Sequence, residues 1–297
     1  MSADLYGCGL TRLSLVIGRA QVQTQISGVI ERTSLLPWGA IWFEFFRTPQ
    51  GKLLRFPQLA DFDFDPDDLS QGIHATPSPG VDRDTIEHLF HNNVVPMLTA
   101  DGGALILHGA AVDIGGFAVI FLGESGRGKS TLAASFASAG FPFLSDDSVR
   151  LSPTESGYRA EPSYPSIRLW RDSDEAVLSG RVREISGVKF SNKARYAAGG
   201  EIPHSNNPTQ LRAIYVLANE APASILIQPL GANAAMMEFV QHSFILDLQS
   251  EATLGGHFER MATLANKVCV FRLDYPRDYS LLHDVRAAII GHANTLN

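Results

Sequence analysis

Residues Gly123–Ser130 read GESGRGKS, a G-x-x-x-x-G-K-S order in which each residue type has a task in holding a polyphosphate. Gly123, Gly126 and Gly128 let the backbone curl with successive N–H groups turned toward phosphate oxygens. Glu124, Ser125 and Arg127 carry further amides of the same curl, and the Arg127 side chain either leans on a nucleotide or faces water. Lys129 is a compact positive charge suited to the β- and γ-phosphates. Ser130 can give its hydroxyl to Mg²⁺. Thr131 opens the helix that follows, whose free N–H groups and positive end favour an anion. Shortly afterwards FPFLSDD ends in Asp146 and Asp147. Two carboxylates beside such a loop can divide the work of phosphoryl transfer. One takes the proton of an attacking hydroxyl, and the other orients Mg²⁺ or a metal-bound water.

The surrounding elements must bring these groups together. GALILHGAAVDIGGFAVIFLG, 103–123, reads as two strands joined around Gly115–Gly116, and the second runs straight into the loop. A helix over 129–139 ends at Gly140, suited to a left-handed cap, and FPFLS is the next strand. In a parallel α/β arrangement both strands end on the edge where ligands bind, so the loop and the aspartates are expected to meet. AIYVLA, ASILIQPL and VCVFRLDYP read as strands. EATLGGHFERMATLAN contains a helix, and DYSLLHDVRAAIIGHA is a terminal helix with Asp278 as its cap.

Upstream the pattern changes. Residues 1–80 form a β-rich region, with RLSLVIG, VQTQISGVI and GAIWFEFFR in strand-length runs and TPQG turning into KLLRF. DFDFDPDD, 61–68, suits a strand or loop with one wet acidic face, with a cation as the alternative. HATPSPGVDRD, 74–84, reads as a linker ending in a helix cap. The apolar spacing from Ile86 to Leu98 then predicts a helix that Pro96 bends or cuts short. The domains expected are therefore 1–80, a β-rich candidate for peptide recognition, and 81–297, an α/β catalytic domain.

The chain has 297 residues and a formal charge of −7, which argues against general nucleic-acid binding. No apolar run reaches the length of a membrane span. The first residues do not read as a signal peptide, so a cytoplasmic location is expected. Cys8 and Cys269 lack metal-ligand spacing and read as reduced thiols.

The run HGAAVDIGGFAVIFLGESGRGKSTLAASFASAGFPFLSDDSVRL, 108–151, resembles the catalytic core of HPr kinase/phosphorylase and its bacterial relatives. That family shows a His-Gly strand, a hairpin, a phosphate loop, one helix and a strand ending in Asp-Asp. The resemblance implies a P-loop kinase core of the HPr kinase type that uses ATP and Mg²⁺. It implies Asp146 as general base with Asp147 beside it, Lys129 and Ser130 at the nucleotide and metal positions, and His108 near the catalytic aspartate. A homo-oligomer is implied in the same way. The chain departs from the family at Thr131, where those enzymes have glutamate, and in lacking their later glycine-rich segment. The resemblance therefore points away from HPr as acceptor and from the reverse reaction. RLW, LRAIYVL and RLDYPRDYSLL resemble HPr kinase-like proteins encoded with lasso-peptide biosynthesis, which phosphorylate a C-terminal serine of the precursor peptide.

Transferring a phosphoryl group calls for more positive charge than Lys129 alone. Arg168 in SIRLW, and Lys193 and Arg195 in KFSNKARYAAGGE, are the candidates, and the second segment reads as a lid. Trp170 reads as core, and His242 and His257 show no partner in the sequence. The function expected is an ATP- and Mg²⁺-dependent serine kinase acting on a peptide, with Asp146 as base and with Ser130 and Asp147 holding the metal. The alternatives are a kinase for HPr or a small hydroxyl compound, and a nucleotide-dependent switch without transfer.

Overall fold

A computed structural model describes residues 13–36, 38–178, 184–187, 193–199, 202–218, 220 and 222–296. Cys8 and parts of the 189–201 segment lie outside the described residues. The chain divides into two compact units, residues 1–103 with 245–255, and 104–244 with 256–297. The boundary expected near residue 80 falls after Gly103 instead. The helical segment beyond Asp82 buries Ile86, Leu89, Phe90, Val94 and Met97, so it belongs to the body of the first unit.

In that unit six strands lie in the order β1-β6-β5-β4-β3-β2. They are β1 (Leu15–Ile17), β2 (Val29–Leu35), β3 (Ile41–Thr48), β4 (Gly51–Phe56), β5 (Ala60–Phe64) and β6 (Ile73–Pro77). The expected turn at 48–51 closes the β3–β4 hairpin, with Thr48 opposite Gly51. The strand expected from Val22 begins only at Val29. Before it, the Gln23 amide donates to the Phe56 carbonyl and Asp61 Oδ1, and accepts from the Gln58 N–H, which ties down an irregular segment. The acidic run is also not one wet face. Asp61 is buried and takes the Arg55 guanidinium at 2.8 and 2.6 Å, so an internal cation meets it, while Asp65 and Asp68 accept amides in turns. The expected linker contributes β6.

The Asp82 carboxylate caps α1 (Arg83–Leu89), and a π-helical turn over Phe90–Val94 leads into α2 (Val95–Asp101). Pro96 therefore neither cuts nor ends the helix. It sits in the first turn of α2, and the widened turn before it spares the amide that proline lacks.

The second unit holds a mixed sheet. Its strands are β7 (Leu105–Leu107), β8 (Gly109–Asp113), β9 (Phe117–Leu122), β10 (Phe143–Ser145), β11 (Val149–Thr154), β12 (Gly157–Glu161), β16 (Thr209–Leu217), β17 (Leu226–Pro229) and β18 (Cys269–Asp274). A separate small sheet pairs β13 (Ser166–Leu169), β15 (Ala194–Ala197) and β14 (Glu184–Gly187) in that order. The helices are α3 (Lys129–Ser138), α4 (Arg171–Val177), α5 (Ala232–Gln241), α6 (Glu251–Lys267) and α7 (Leu282–Thr295). Along β9 successive residues serve opposite faces. Val119 and Phe121 join the core of α3 and α7, and Ala118, Ile120 and Leu122 join that of α5 and α6. Burial on both faces explains why β9 reads as a continuous apolar run. Among the described residues no helix is long and apolar enough to cross a membrane.

Strand direction decides where chemistry can occur. β8 is antiparallel to both β9 and β10, so β9 and β10 run the same way with β8 between them. β16 and β18 also run with β9. One sheet edge therefore collects the loop after Leu122, the aspartates after Ser145, His108 before Gly109, and the segment from Tyr275 after β18.

Candidate functional site

Three glycines shape the loop with positive φ, at 142° for Gly123, 86° for Gly126 and 94° for Gly128. At Gly128 a Cβ would also come within 2.9 Å of the Tyr275 hydroxyl, so the position has neither the torsion nor the room for a side chain. Gly128 caps α3 without a side chain, which leaves the first amides of the helix for a ligand. Lys129 is buried, and its ammonium donates to the Gly123 and Glu124 carbonyls at 2.6 and 3.1 Å. Glu124 and Arg127 pair with each other at 3.1 Å on the outside of the loop.

The aspartates meet the loop at this edge, by different routes. Asp146 accepts the Ser130 hydroxyl at 2.8 Å and the Arg168 amide at 3.0 Å. Asp147 takes the Arg168 guanidinium through Nε at 2.9 Å and a terminal nitrogen at 2.6 Å. With φ of 70°, Asp147 is one of two non-glycine residues among those described that hold a positive φ. Such strain persists only where the surroundings fix it, and here Arg168 and His108 do so. His108 makes a hydrogen bond with the Asp147 backbone.

Burial governs the charges. Asp146 is pushed up to about 6, first by burial and then by the neighbouring Asp147, against the pull of Lys193, the Arg168 amide and the Ser130 hydroxyl. His108 is held down to about 4 by burial and by Lys129, so it is a neutral imidazole at physiological pH. Lys129 is lowered to about 8 by burial, although Asp147, Asp146 and Glu124 favour its charge. A polyphosphate binds the ammonium form, so its affinity must fall as pH rises through the lysine's value in the free protein. Inorganic tripolyphosphate is expected to bind roughly tenfold more weakly at pH 9 than at pH 7, as titration calorimetry would show. A flat profile would mean either that Lys129 does not hold the phosphates or that it stays charged through pH 9.

These groups border a cleft of about 440 Å³, within the range of small-ligand sites. Ser125 to Thr131, His108, Asp147, Arg168 and Lys193 line it. Asp146 lies behind Ser130 and does not. Arg195 does not line it either. It stands opposite Arg168 in the β13–β15 register, where directly opposed residues share a face. Arg168 takes the carboxylate, and Arg195 is buried against the Tyr164 ring at 4.9 Å. Within the segment expected as a lid, Ala194–Ala197 form strand β15. Trp170, expected in the core, is exposed on the cleft, with the Lys193 ammonium 5.7 Å from its ring centre. Two histidines do have partners: His242 lies 3.5 Å from Glu238, and His257 is hydrogen-bonded to Ser243 at 2.8 Å.

Sequence reasoning missed Asp172, Ser173, Tyr275, Arg277 and Tyr279, all on the same cleft. The available signal was position, since DYPRDY follows a strand that could end on the ligand edge. For a metal, Ser130 and Asp146 present paired hard oxygens. Among the described residues there is no cluster of three or more His, Cys, Asp or Glu that could form a closed cage. An oxygen pair of this kind fits Mg²⁺, which binds through one or two carboxylates together with substrate phosphates.

No family model matches the chain. Over 51 residues it is 45% identical to the HPr kinase/phosphorylases of Bordetella pertussis, Bordetella parapertussis and Bordetella bronchiseptica, a match covering 17% of this chain. The chain spans only 17% of the length of these relatives in that match. Among solved structures, the Hpr(Ser) kinase/phosphatase from Coxiella burnetii is matched with a TM-score of 0.34 and 11% identity. That match covers 64% of this chain and 97% of the other.

Proposed function

We propose that this chain is an ATP- and Mg²⁺-dependent P-loop kinase that transfers the γ-phosphoryl group to a serine-type hydroxyl of a peptide. The observation that carries this reading is the convergence of Lys129, Ser130, Asp146, Asp147, His108 and Arg168 at one sheet edge. A carboxylate that lines the cleft beside the phosphate loop, as Asp147 does, supports transfer over binding alone.

The two aspartates divide the work differently from the sequence expectation. Asp147 reaches the cleft and takes the proton, while Asp146, bonded to Ser130, belongs with the metal. The acceptor oxygen forms a bond to the γ-phosphorus as the bridging bond to the β-phosphate breaks. The hydroxyl proton passes to an Asp147 oxygen, and ADP leaves. Neutral His108 holds the Asp147 backbone in its strained turn. Arg168 orients the carboxylate, and Lys129 with the loop amides holds the charge on the phosphate oxygens. Mg²⁺ bound at Ser130 and Asp146 would neutralise the β- and γ-oxygens.

The resemblance to lasso-peptide-associated kinases favours the C-terminal serine of a precursor peptide as acceptor. The test is the intact mass of a serine-terminated precursor after incubation with the protein, ATP and Mg²⁺. A gain of one or more phosphates supports the reading. No gain, with HPr or small alcohols phosphorylated instead, would move the acceptor class. No transfer to any of them would leave only a nucleotide-binding protein.

Peptide recognition by the first unit is part of this proposal. Among the described residues the outer side of β2 has no strand partner, and Val29, Ile30 and Leu35 on it are exposed. An extended peptide can add to such an edge. Changing Ile30→Lys is expected to weaken precursor binding roughly tenfold in an anisotropy titration, in line with one lost apolar anchor. Unchanged affinity would place recognition elsewhere.

A further inference from the structure

The phosphate loop occupies only part of the cleft. Beyond Thr131 the wall continues through a chain of hydrogen bonds. The Thr131 hydroxyl donates to Ser173 Oγ at 3.1 Å, Ser173 Oγ bonds the Tyr279 hydroxyl at 3.1 Å, and that hydroxyl donates to Asp172 Oδ2 at 2.8 Å. Polyphosphate runs along such a loop with its outer groups at the lysine and its inner one at the helix start. A nucleoside attached to the inner phosphate therefore leaves past Thr131, toward Ser173, Tyr279 and Asp172.

This end of the cleft is built for a flat polar ring. The Tyr279 ring is exposed, at 41% of its surface, although it lines a concave site. Arg277 also lines it. Its guanidinium is held in place by donating to the Arg127 and Ala218 carbonyls at 3.0 and 2.6 Å, and it lies 4.2 Å from the centre of the Tyr275 ring. Aromatic rings and guanidinium planes are the two surfaces on which bases stack. Asp172 completes the wall. One of its oxygens takes the adjacent Ser173 amide and the other takes Tyr279. An ionised carboxylate only accepts, and two such bonds leave it lone pairs for a further donor.

We infer that this wall is a nucleoside subsite selecting adenine, with the base on the Arg277–Tyr279 surface and its exocyclic amine donating to Asp172. The inference rests on the nucleotide-binding part of the function proposed above and adds the residues that select its base. A 6-oxo purine places an acceptor where adenine has a donor, and the Asp172 carboxylate repels it.

The test uses the full chain with Mg²⁺ and measures affinities for ATP, ITP and inorganic tripolyphosphate by calorimetry. ATP is expected to bind about tenfold more tightly than ITP, the scale of one hydrogen bond to a charged group. Asp172→Asn, whose amide can donate to a 6-oxo group, should bring the two within about twofold and leave tripolyphosphate binding unchanged. Tyr279→Ala should weaken ATP about tenfold without affecting tripolyphosphate, since it removes the stacking ring and the hydroxyl bonded to Ser173 and Asp172 but nothing of the phosphate loop. Equal binding of ATP and ITP by the wild type would overturn the base assignment while leaving nucleotide binding intact. A loss in either variant that is the same for ATP and tripolyphosphate would overturn the subsite. No binding of any of the three would instead remove the reading on which the subsite rests.

Discussion

Replacing Asp147 with asparagine is expected to lower the rate of phosphoryl transfer about 10²- to 10⁴-fold, the usual contribution of a general base. Asparagine tolerates the left-handed backbone at this position and still offers Arg168 an acceptor oxygen, so the turn should keep its shape. It cannot take a proton. ATP affinity should change far less than the rate, because the loop amides stay in place and Lys129 loses only the support of one neighbouring charge. Single-turnover kinetics with the precursor peptide, alongside calorimetry with ATP, separates the two quantities. Asp146→Asn should behave differently, raising the Mg²⁺ concentration needed for half-maximal rate, because its oxygen pairs with the Ser130 hydroxyl. If Asp146→Asn gave the larger rate loss with an unchanged Mg²⁺ requirement, the base would be Asp146, as the family resemblance implies.

The second large effect concerns Arg168. Its guanidinium and the Asp147 carboxylate are both mostly buried, with 15% and 11% of their side chains exposed. Removing one partner of such a pair leaves the other charged in a nearly dry site, so Arg168→Ala should cost about 3 kcal/mol of stability at pH 7. Asp146 stands beside Asp147 and already feels its charge, which sharpens the penalty. The Arg168→Ala/Asp147→Asn double variant should recover part of the loss, because the stranded charge is gone. Urea unfolding of the wild type, both single variants and the double variant gives the coupling. Additive costs would mean that the two side chains do not act as a pair.

Much of the site was legible because its parts depend on neighbours in sequence. The Gly115–Gly116 turn, the curl from Gly123 to Gly128 and the helix ending at Gly140 all follow from torsions and hydrogen bonds within a few residues, whereas Asp278, expected to cap the terminal helix, caps the 3₁₀ turn Tyr279–Leu281 before it. The errors arose where a distant partner intervened. Gln23 reaches Phe56 and Asp61 and holds its own segment out of the sheet. Asp61 reads as wet until Arg55 is opposite it on the next strand. Pro96 is a local exception: it reads as bending the helix or cutting it short, and the π-helical turn just before it lets the helix run on to Asp101.

The sequence by itself determined the loop, its helix and the adjacency of two carboxylates to a strand end. The curl of this loop depends on positive-φ torsions at Gly123, Gly126 and Gly128, which glycine adopts readily, so the glycine spacing is enough to predict its shape. The tertiary structure decided which carboxylate faces the cleft, that Arg168 and not Arg195 reaches it, and that Tyr279 and Asp172 share a wall with Thr131. Those outcomes depend on strand order and cross-strand register, which bring together residues far apart in the chain. No local preference encodes such pairings, because their free energy exists only once the sheet has formed.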